Sequence, residues 1–206
     1  IDIEDFKQFK TEFIDTFNLK RNKTNDDAYI CNYEDILTEK LVLNTNSKIR
    51  KYNYHPKTYD ELKELVEKLI KERGNEADLN DIDTSAITDM SWLFSNSEFN
   101  GDISLWDVGK VKKMSFMFYN SNFNGDISLW NVSNVKSMIA LFQAAKKFNG
   151  DISGWDVSNV TDMYLMFDSS KFNNDISNWK INNDCNTIKM FKDCKIKEEY
   201  KPKFNN

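Results

Sequence analysis

FNGDISLWDV, the stretch at residues 99–108, returns as FNGDISLWNV at 123–132, as FNGDISGWDV at 148–157 and as FNNDISNWKI at 172–181. The tryptophans of these four blocks are 24, 25 and 24 residues apart along the chain. A constant period of this length is typical of proteins in which each repeat packs only on its neighbours. The sequence therefore predicts a stack of similar coils rather than a globule that is folded once.

Identical residues in successive repeats are expected to stack on one another and to form buried ladders, because each coil needs its neighbours to complete its core. The residues predicted to form these ladders are Trp106, Trp130, Trp155, Trp179, Phe99, Phe123, Phe148, Phe172, Met90, Met114, Met138 and Met163. The stack is thus predicted to be held together by aromatic and methionine side chains.

Each repeat contains three local patterns. Val111, Met114 and Met117 are spaced as on one face of a short helical turn. The Phe-Asn-Gly-Asp segment is typical of a turn, with the glycines at positive φ. The Ile-Ser-x-Trp-Asp-Val segment is predicted to be a short strand that pairs with the next coil in a parallel sheet.

The region before the repeats is predicted to be mainly helical. Phe6, Phe9, Phe13 and Phe17 form an apolar stripe at helical spacing. A possible hairpin follows within residues 41–54, and a helix is predicted from Thr58 to Arg73.

The second of these helices carries clear end signals. Thr58 and Glu61 form a capping box at its start, and Gly74 is suited to end it. Its apolar face is expected to cover the open end of the stack; that face comprises Leu62, Leu65, Val66, Leu69 and Ile70. We therefore predict three regions: residues 1–54 with the first helix and the hairpin, residues 55–78 with the capping helix, and residues 79–206 with about five coils and a degenerate C-terminal cap.

The repeat FNGDISxWDVSxVxxMxxMF, together with HPKTYDELKELVEKLI at residues 55–70, resembles the BspA-like leucine-rich-repeat surface proteins of bacteria. The resemblance covers residues 79–191 and the helix before them. It implies an α/β repeat fold, namely a right-handed, leucine-rich-repeat-like solenoid with short parallel strands and short helical turns. It also implies adhesion or protein binding at the cell surface or outside the cell.

Composition excludes several classes of function. A net charge of −5 argues against nucleic-acid binding, which depends on lysine and arginine contacts with phosphates. No run of about eighteen apolar residues is present, so no membrane span is expected. The first residue is Ile1 rather than methionine, which suggests a mature or trimmed chain.

No motif for catalysis or for a cofactor is found, so we expect neither enzyme activity nor a cofactor. His55, the single histidine, has no partnered nucleophile and is expected to cap or pack. Cys31, Cys185 and Cys194 cannot all pair within one chain; Cys185 and Cys194 either form a bridge or serve as small apolar side chains.

Calcium is the first ligand to consider, because aspartates recur at fixed positions as in calcium-binding β-rolls. The residues are Asp102, Asp126, Asp151 and Asp175 in one column, and Asp107, Asn131 and Asp156 in another. We favour the simpler interpretation, in which these side chains accept hydrogen bonds from nearby backbone amides and no metal is bound.

Positions that differ between repeats are free to face solvent, and exposed apolar residues in a row usually mark a contact site. The candidate binding residues are Leu105 and Leu129 first, followed by Trp92, Phe116, Ile139 and Tyr164. The alternative, partial burial between coils, stays open for all six.

These observations predict a non-enzymatic, monomeric module that presents a rigid surface to a protein or another surface ligand. The alternative is a secreted or intracellular effector or inhibitor that acts through its N-terminal helices, with the repeats as scaffold.

Overall fold

In the computed structural model of the protein, the chain forms two units, Ile1–Arg50 and Lys51–Asn206, and the structure describes residues 52–203 of it. The predicted helix with Phe6, Phe9, Phe13 and Phe17 and most of the predicted hairpin lie outside the described residues. At the end of that hairpin, Tyr54 forms a parallel bridge with Ile82. The predicted region boundaries at residues 54 and 78 stay predictions.

The predicted capping helix is present as α1, which spans Tyr59–Arg73. Thr58 Oγ1 accepts the Glu61 amide at 3.2 Å, and a Glu61 carboxylate oxygen accepts the Lys57 amide at 2.6 Å. The Glu61 carboxylate thus reaches one residue further back than a standard capping box requires.

At the other end of α1 Gly74, with φ 91°, donates its amide to the Ile70 carbonyl. The helix buries Leu62, Val66 and Leu69 in the core that it shares with the repeats.

Arg73, at the end of α1, connects the helix to the first coil through hydrogen bonds. Its guanidinium donates to both carboxylate oxygens of Asp81 at 3.0 Å and to the Asp78 carbonyl at 3.1 Å. These charge-assisted hydrogen bonds, with the Arg73 guanidinium as the main cause, lower the pKa of Asp81.

The core consists of columns of equivalent side chains, one from each coil. In the phenylalanine column the ring centroids of Phe94, Phe118 and Phe142 lie 5.7 and 5.5 Å apart, and the planes are parallel within 2°. Each repeat tryptophan is buried and donates its indole N–H to an apolar residue's carbonyl in the preceding coil, as Trp130 does to Ile103 at 3.2 Å. The indole nitrogens are therefore satisfied inside the core.

The predicted fold class is wrong. Within residues 52–203 the structure has one α-helix, a short 3₁₀ helix at Glu198–Tyr200, and isolated parallel bridges in place of strands. The main bridge column runs through Asp89, Lys113, Ser137, Asp162 and Asn186, with one residue from each coil. A leucine-rich-repeat-like solenoid with parallel strands and helical turns does not describe this arrangement.

Local hydrogen bonds explain why the predicted strand is absent. The Trp106 amide donates to Ile103 of its own coil at 3.1 Å, and the Ser104 amide donates to the Asp102 carboxylate at 2.9 Å. The segment therefore bends at Ser104 and Leu105. The Ser104 and Trp106 amides are used locally, and the Leu105 amide donates to the Asn80 side-chain oxygen of the preceding coil at 2.9 Å instead of to a backbone carbonyl.

The predicted helical turn is replaced by a turn with alternating hydrogen bonds. In the second coil the amides of Met114, Phe116 and Phe118 donate to carbonyls of the next coil, at 2.8–3.0 Å. The amides of Met117 and Tyr119 instead donate three residues back, to Met114 at 3.2 Å and to Phe116 at 3.1 Å. Through this alternation the backbone N–H and C=O groups find hydrogen-bond partners without an α-helix or a sheet.

The glycines of the Phe-Asn-Gly-Asp segment do not have the predicted positive φ; among the six glycines of the chain only Gly74 has one. Gly101 is required for a different reason. A Cβ on this residue would lie 2.0 Å from the Ala77 carbonyl oxygen of the preceding coil. The residue is small because two backbones approach each other closely.

Candidate binding surface

The repeated aspartates form turns at the corners of the coils. Asp102, Asp126, Asp151 and Asp175 each accept the amide two residues on, at 2.9 Å. The backbone and hydroxyl hydrogen bonds from Ser153 lower the pKa of Asp151, and those from Ser177 do the same for Asp175. The predicted hydrogen bonds between these carboxylates and nearby backbone amides are confirmed.

An open cleft of about 490 Å³ lies between two of these corners. Its walls are formed by Asp151, Ser153, Asn174, Asp175, Ser177 and Asn178. Within the described residues, no three histidine, cysteine, aspartate or glutamate side chains are arranged to hold a metal ion. The carboxylates in this cleft stabilise its walls through their hydrogen bonds to serines.

A column of asparagines has an architectural role that sequence reasoning missed. The side-chain oxygen of Asn100 accepts the amide of Asn124 at 2.8 Å, and Asn124 and Asn149 continue the pattern to the next two coils. The signal in the sequence is the asparagine that follows phenylalanine in every repeat, a residue type that is also typical of turns. These side chains replace backbone pairing at that corner.

Cys185 and Cys194 are free thiols, both half-buried. Burial raises the pKa of the Cys185 thiol to about 11. Cys194 lies 3.4 Å from the Phe172 carbonyl and acts as a weak donor. His55 Nδ1 lies 3.2 Å from the Asp83 carboxylate, next to the first coil.

The first candidate pair lies at a corner of the coils. Leu105 and Leu129 occupy the same position in adjacent coils, and their exposed fractions are 37% and 69%. The equivalent residues further on are Gly154 and Asn178. This apolar row is therefore two residues long.

The second candidate pair forms an aromatic patch, which we define as Trp92, Phe116 and Tyr119. The rings of Trp92 and Phe116 stack at 4.0 Å with planes 7° apart. Tyr119 packs edge-on against both, at 6.3 and 6.1 Å. Trp92 is 48% exposed, and the other two are half-buried. Tyr119 was not among the sequence candidates, although its position also varies and holds serine, glutamine, aspartate and lysine in the other coils.

Two columns of left-handed residues run through the coils. Each coil has two left-handed residues four positions apart. In the second column three of the five residues, Asn96, Asn120 and Asp193, are of types that tolerate this conformation at low cost. The first column holds Trp92 at φ 66° and Phe116 at φ 59°, where a bulky side chain costs about 1–2 kcal/mol. The backbone therefore does not favour aromatic residues at these two positions.

The remaining candidates are less accessible. Ile139 and Tyr164 are half-buried, and no ring contact joins Tyr164 to the aromatic patch. Ala140, which follows Phe116 in the same column, is fully buried. The structure therefore brings together Trp92 and Phe116, and it places Leu105 and Leu129 at a different corner of the coil.

A family model described as "Mycoplasma protein of unknown function, DUF285" matches residues 60–169 and, in an overlapping match, residues 96–204. The two matches together cover more than two thirds of the 206 residues. The chain belongs to this family. No curated protein and no solved structure matches this DUF285 chain. The expectation that the chain belongs to a bacterial protein family is thereby confirmed.

The DUF285 match includes α1 from its second residue onward and the coils that carry the aromatic patch. No helix within residues 52–203 has both the length and the apolar character needed to cross a membrane.

Proposed function

We propose that this DUF285 protein is a non-enzymatic binding module that holds a protein ligand on the aromatic patch of its first two coils. The observation that carries the proposal is the position of Trp92, which is 48% exposed, stacked on Phe116 and held at φ 66°. Trp92 occupies a left-handed backbone position and is half exposed, so it contributes less to the stability of the fold than a buried tryptophan does. A large amphipathic side chain in a fixed orientation suits binding, because it loses little entropy when a partner arrives.

The arrangement of the rings favours a protein ligand over a glycan. Trp92 and Phe116 each cover one face of the other, and Tyr119 occupies part of their edges. A sugar ring stacks best on a free aromatic face, whereas apolar protein side chains also pack against ring edges. Tryptophan and tyrosine are also enriched among the residues that dominate protein interfaces.

The resemblance to BspA-like surface proteins supports a place at the cell surface or outside the cell, and adhesion as the biological role. On this proposal the repeated residues build a rigid support, and the varying residues of the first two coils recognise the ligand.

A random-peptide display selection on the immobilised full chain tests the proposal. We expect enriched peptides that bind the wild type at least about tenfold more tightly than the Trp92→Asn variant. Leu165→Asn is the matched control, because Leu165 lies in the same left-handed column at φ 58° and outside the patch. It should leave peptide binding unchanged.

Three results would overturn the proposal. They are no enrichment of any peptide, equal binding to the wild type and Trp92→Asn, and Trp92-dependent binding confined to a glycan array. Asparagine is chosen at position 92 because it tolerates the left-handed backbone, so the variant should fold.

A further inference from the structure

Lysines lie close in sequence to the aromatic patch. Lys112 and Lys113 precede Phe116 by four and three residues, so the chain between Lys112 and Phe116 spans at most about 14 Å. Lys113 lies 3.9 Å from the Asp89 carboxylate and is partly neutralised by it. Lys112 has no ion pair within the described residues.

A second lysine, Lys136, lies next to Lys112 in the adjacent coil. The Lys136 amide donates to the Lys112 carbonyl at 2.8 Å, so the two residues occupy equivalent positions in adjacent coils. Both side chains are exposed, and Lys136 Nζ donates to the neutral Asn159 side chain at 3.5 Å. We call Lys112 and Lys136 the lysine pair. The positions before and after them in this column are Thr88 and Thr161, which carry no charge.

The lysine pair has an unfavourable electrostatic arrangement that an anion would relieve. Two like charges on equivalent positions of adjacent coils repel each other. The chain as a whole carries a net charge of −5, so this positive surface stands against an acidic background. Complementary charge beside an apolar contact raises the rate of association and selects the partner.

We infer that the partner segment is acidic, with an aromatic or large aliphatic side chain for the patch and carboxylates for the lysine pair. This inference rests on the proposed function, since it specifies the chemistry of the ligand at the same patch. The apolar side chain supplies contact area on Trp92, Phe116 and Tyr119. The carboxylates lie within one or two residues of it and compensate Lys112 and Lys136.

The peptides enriched in the display selection provide the test. We expect them to be rich in aspartate and glutamate around an apolar residue. The double variant Lys112→Gln/Lys136→Gln should weaken their binding roughly three- to tenfold. A rise in salt from about 0.05 to about 0.3 M should weaken binding to the wild type more than binding to the double variant. Lys171→Gln/Lys195→Gln removes two exposed lysines elsewhere and should change neither value.

The outcomes separate the two proposals. Trp92-dependent peptides without an acidic bias, or with equal affinity for the wild type and the lysine double variant, would overturn the acidic partner and leave the binding function standing. A selection without any Trp92-dependent peptide would overturn both. Equal losses in the two lysine double variants would show a general charge effect and would also contradict this inference.

Discussion

Trp130 and Trp92 are the same residue type with opposite surroundings. Trp130 is 4% exposed and donates its indole N–H to the Ile103 carbonyl, and the tryptophans of the other three repeat blocks are buried and bonded in the same way. Trp92 is 48% exposed, at a position where the other coils hold phenylalanine, alanine, leucine and lysine. The comparison teaches that repetition marks the residues of the fold, whereas an aromatic residue at a varying position calls for another explanation.

The largest effect should come from removing a repeated tryptophan. Trp130→Ala is expected to lower the free energy of unfolding by about 3–5 kcal/mol, because it leaves a cavity and removes the partner of the Ile103 carbonyl. Chemical denaturation followed by circular dichroism measures this loss. A loss below about 1 kcal/mol would mean that the tryptophan column is not structural.

The next effect concerns the contact between coils. Gly101→Ala should destabilise the protein by about 1–3 kcal/mol or more, because its Cβ would meet the Ala77 carbonyl oxygen at 2.0 Å. Gly150→Ala is the matched control in a later coil, where the nearest atom is a Phe148 ring carbon at 3.1 Å. It should cost less than about 1 kcal/mol. Equal losses in the two variants would show that the close backbone approach at Gly101 is not what requires glycine.

A smaller effect concerns acid stability. The pKa of Asp81 is lowered from its ordinary value of 3.8 by the hydrogen bonds from Arg73. Because the folded pKa is depressed, this contribution is fully present above the unfolded value and is lost as the pH falls through the folded value. Unfolding free energies from about pH 6 to about pH 3 should therefore decline more steeply for the wild type than for Asp81→Asn, by about 1 kcal/mol or less. Parallel curves would contradict this account of the Arg73 contact.

Much of the core could be predicted from the sequence, whereas the backbone conformation of the coils could not. The period of the repeat identified the stacked coils, and the end signals at Thr58 and Gly74 located α1 correctly. The prediction of a strand was wrong because Ile103 and Trp106, which are three residues apart, are both buried. In a strand, residues three apart point to opposite faces, so this spacing indicates a turn. The glycine prediction failed because close approach, unlike turn chemistry, depends on the neighbouring coil.

The candidate surface was predictable only in part. Variation between repeats identified Trp92 and Phe116, but it could not show that their rings stack, since that depends on the left-handed backbone at both positions. It also missed Tyr119, which reaches the patch only because the turn brings it back onto Phe116. Ile139 was selected by the same rule and is half-buried, because variation alone does not measure exposure.

The most direct test of the central claim is the free energy of unfolding of Trp92→Asn, measured beside Trp130→Ala. Asparagine relieves about 1–2 kcal/mol of left-handed strain and loses a ring stack of about 0.5–1.5 kcal/mol together with some apolar contact. The account therefore predicts a change within about 1 kcal/mol of the wild type, alongside the loss of peptide binding. A loss close to that of Trp130→Ala would contradict it, because Trp92 would then be a residue of the fold.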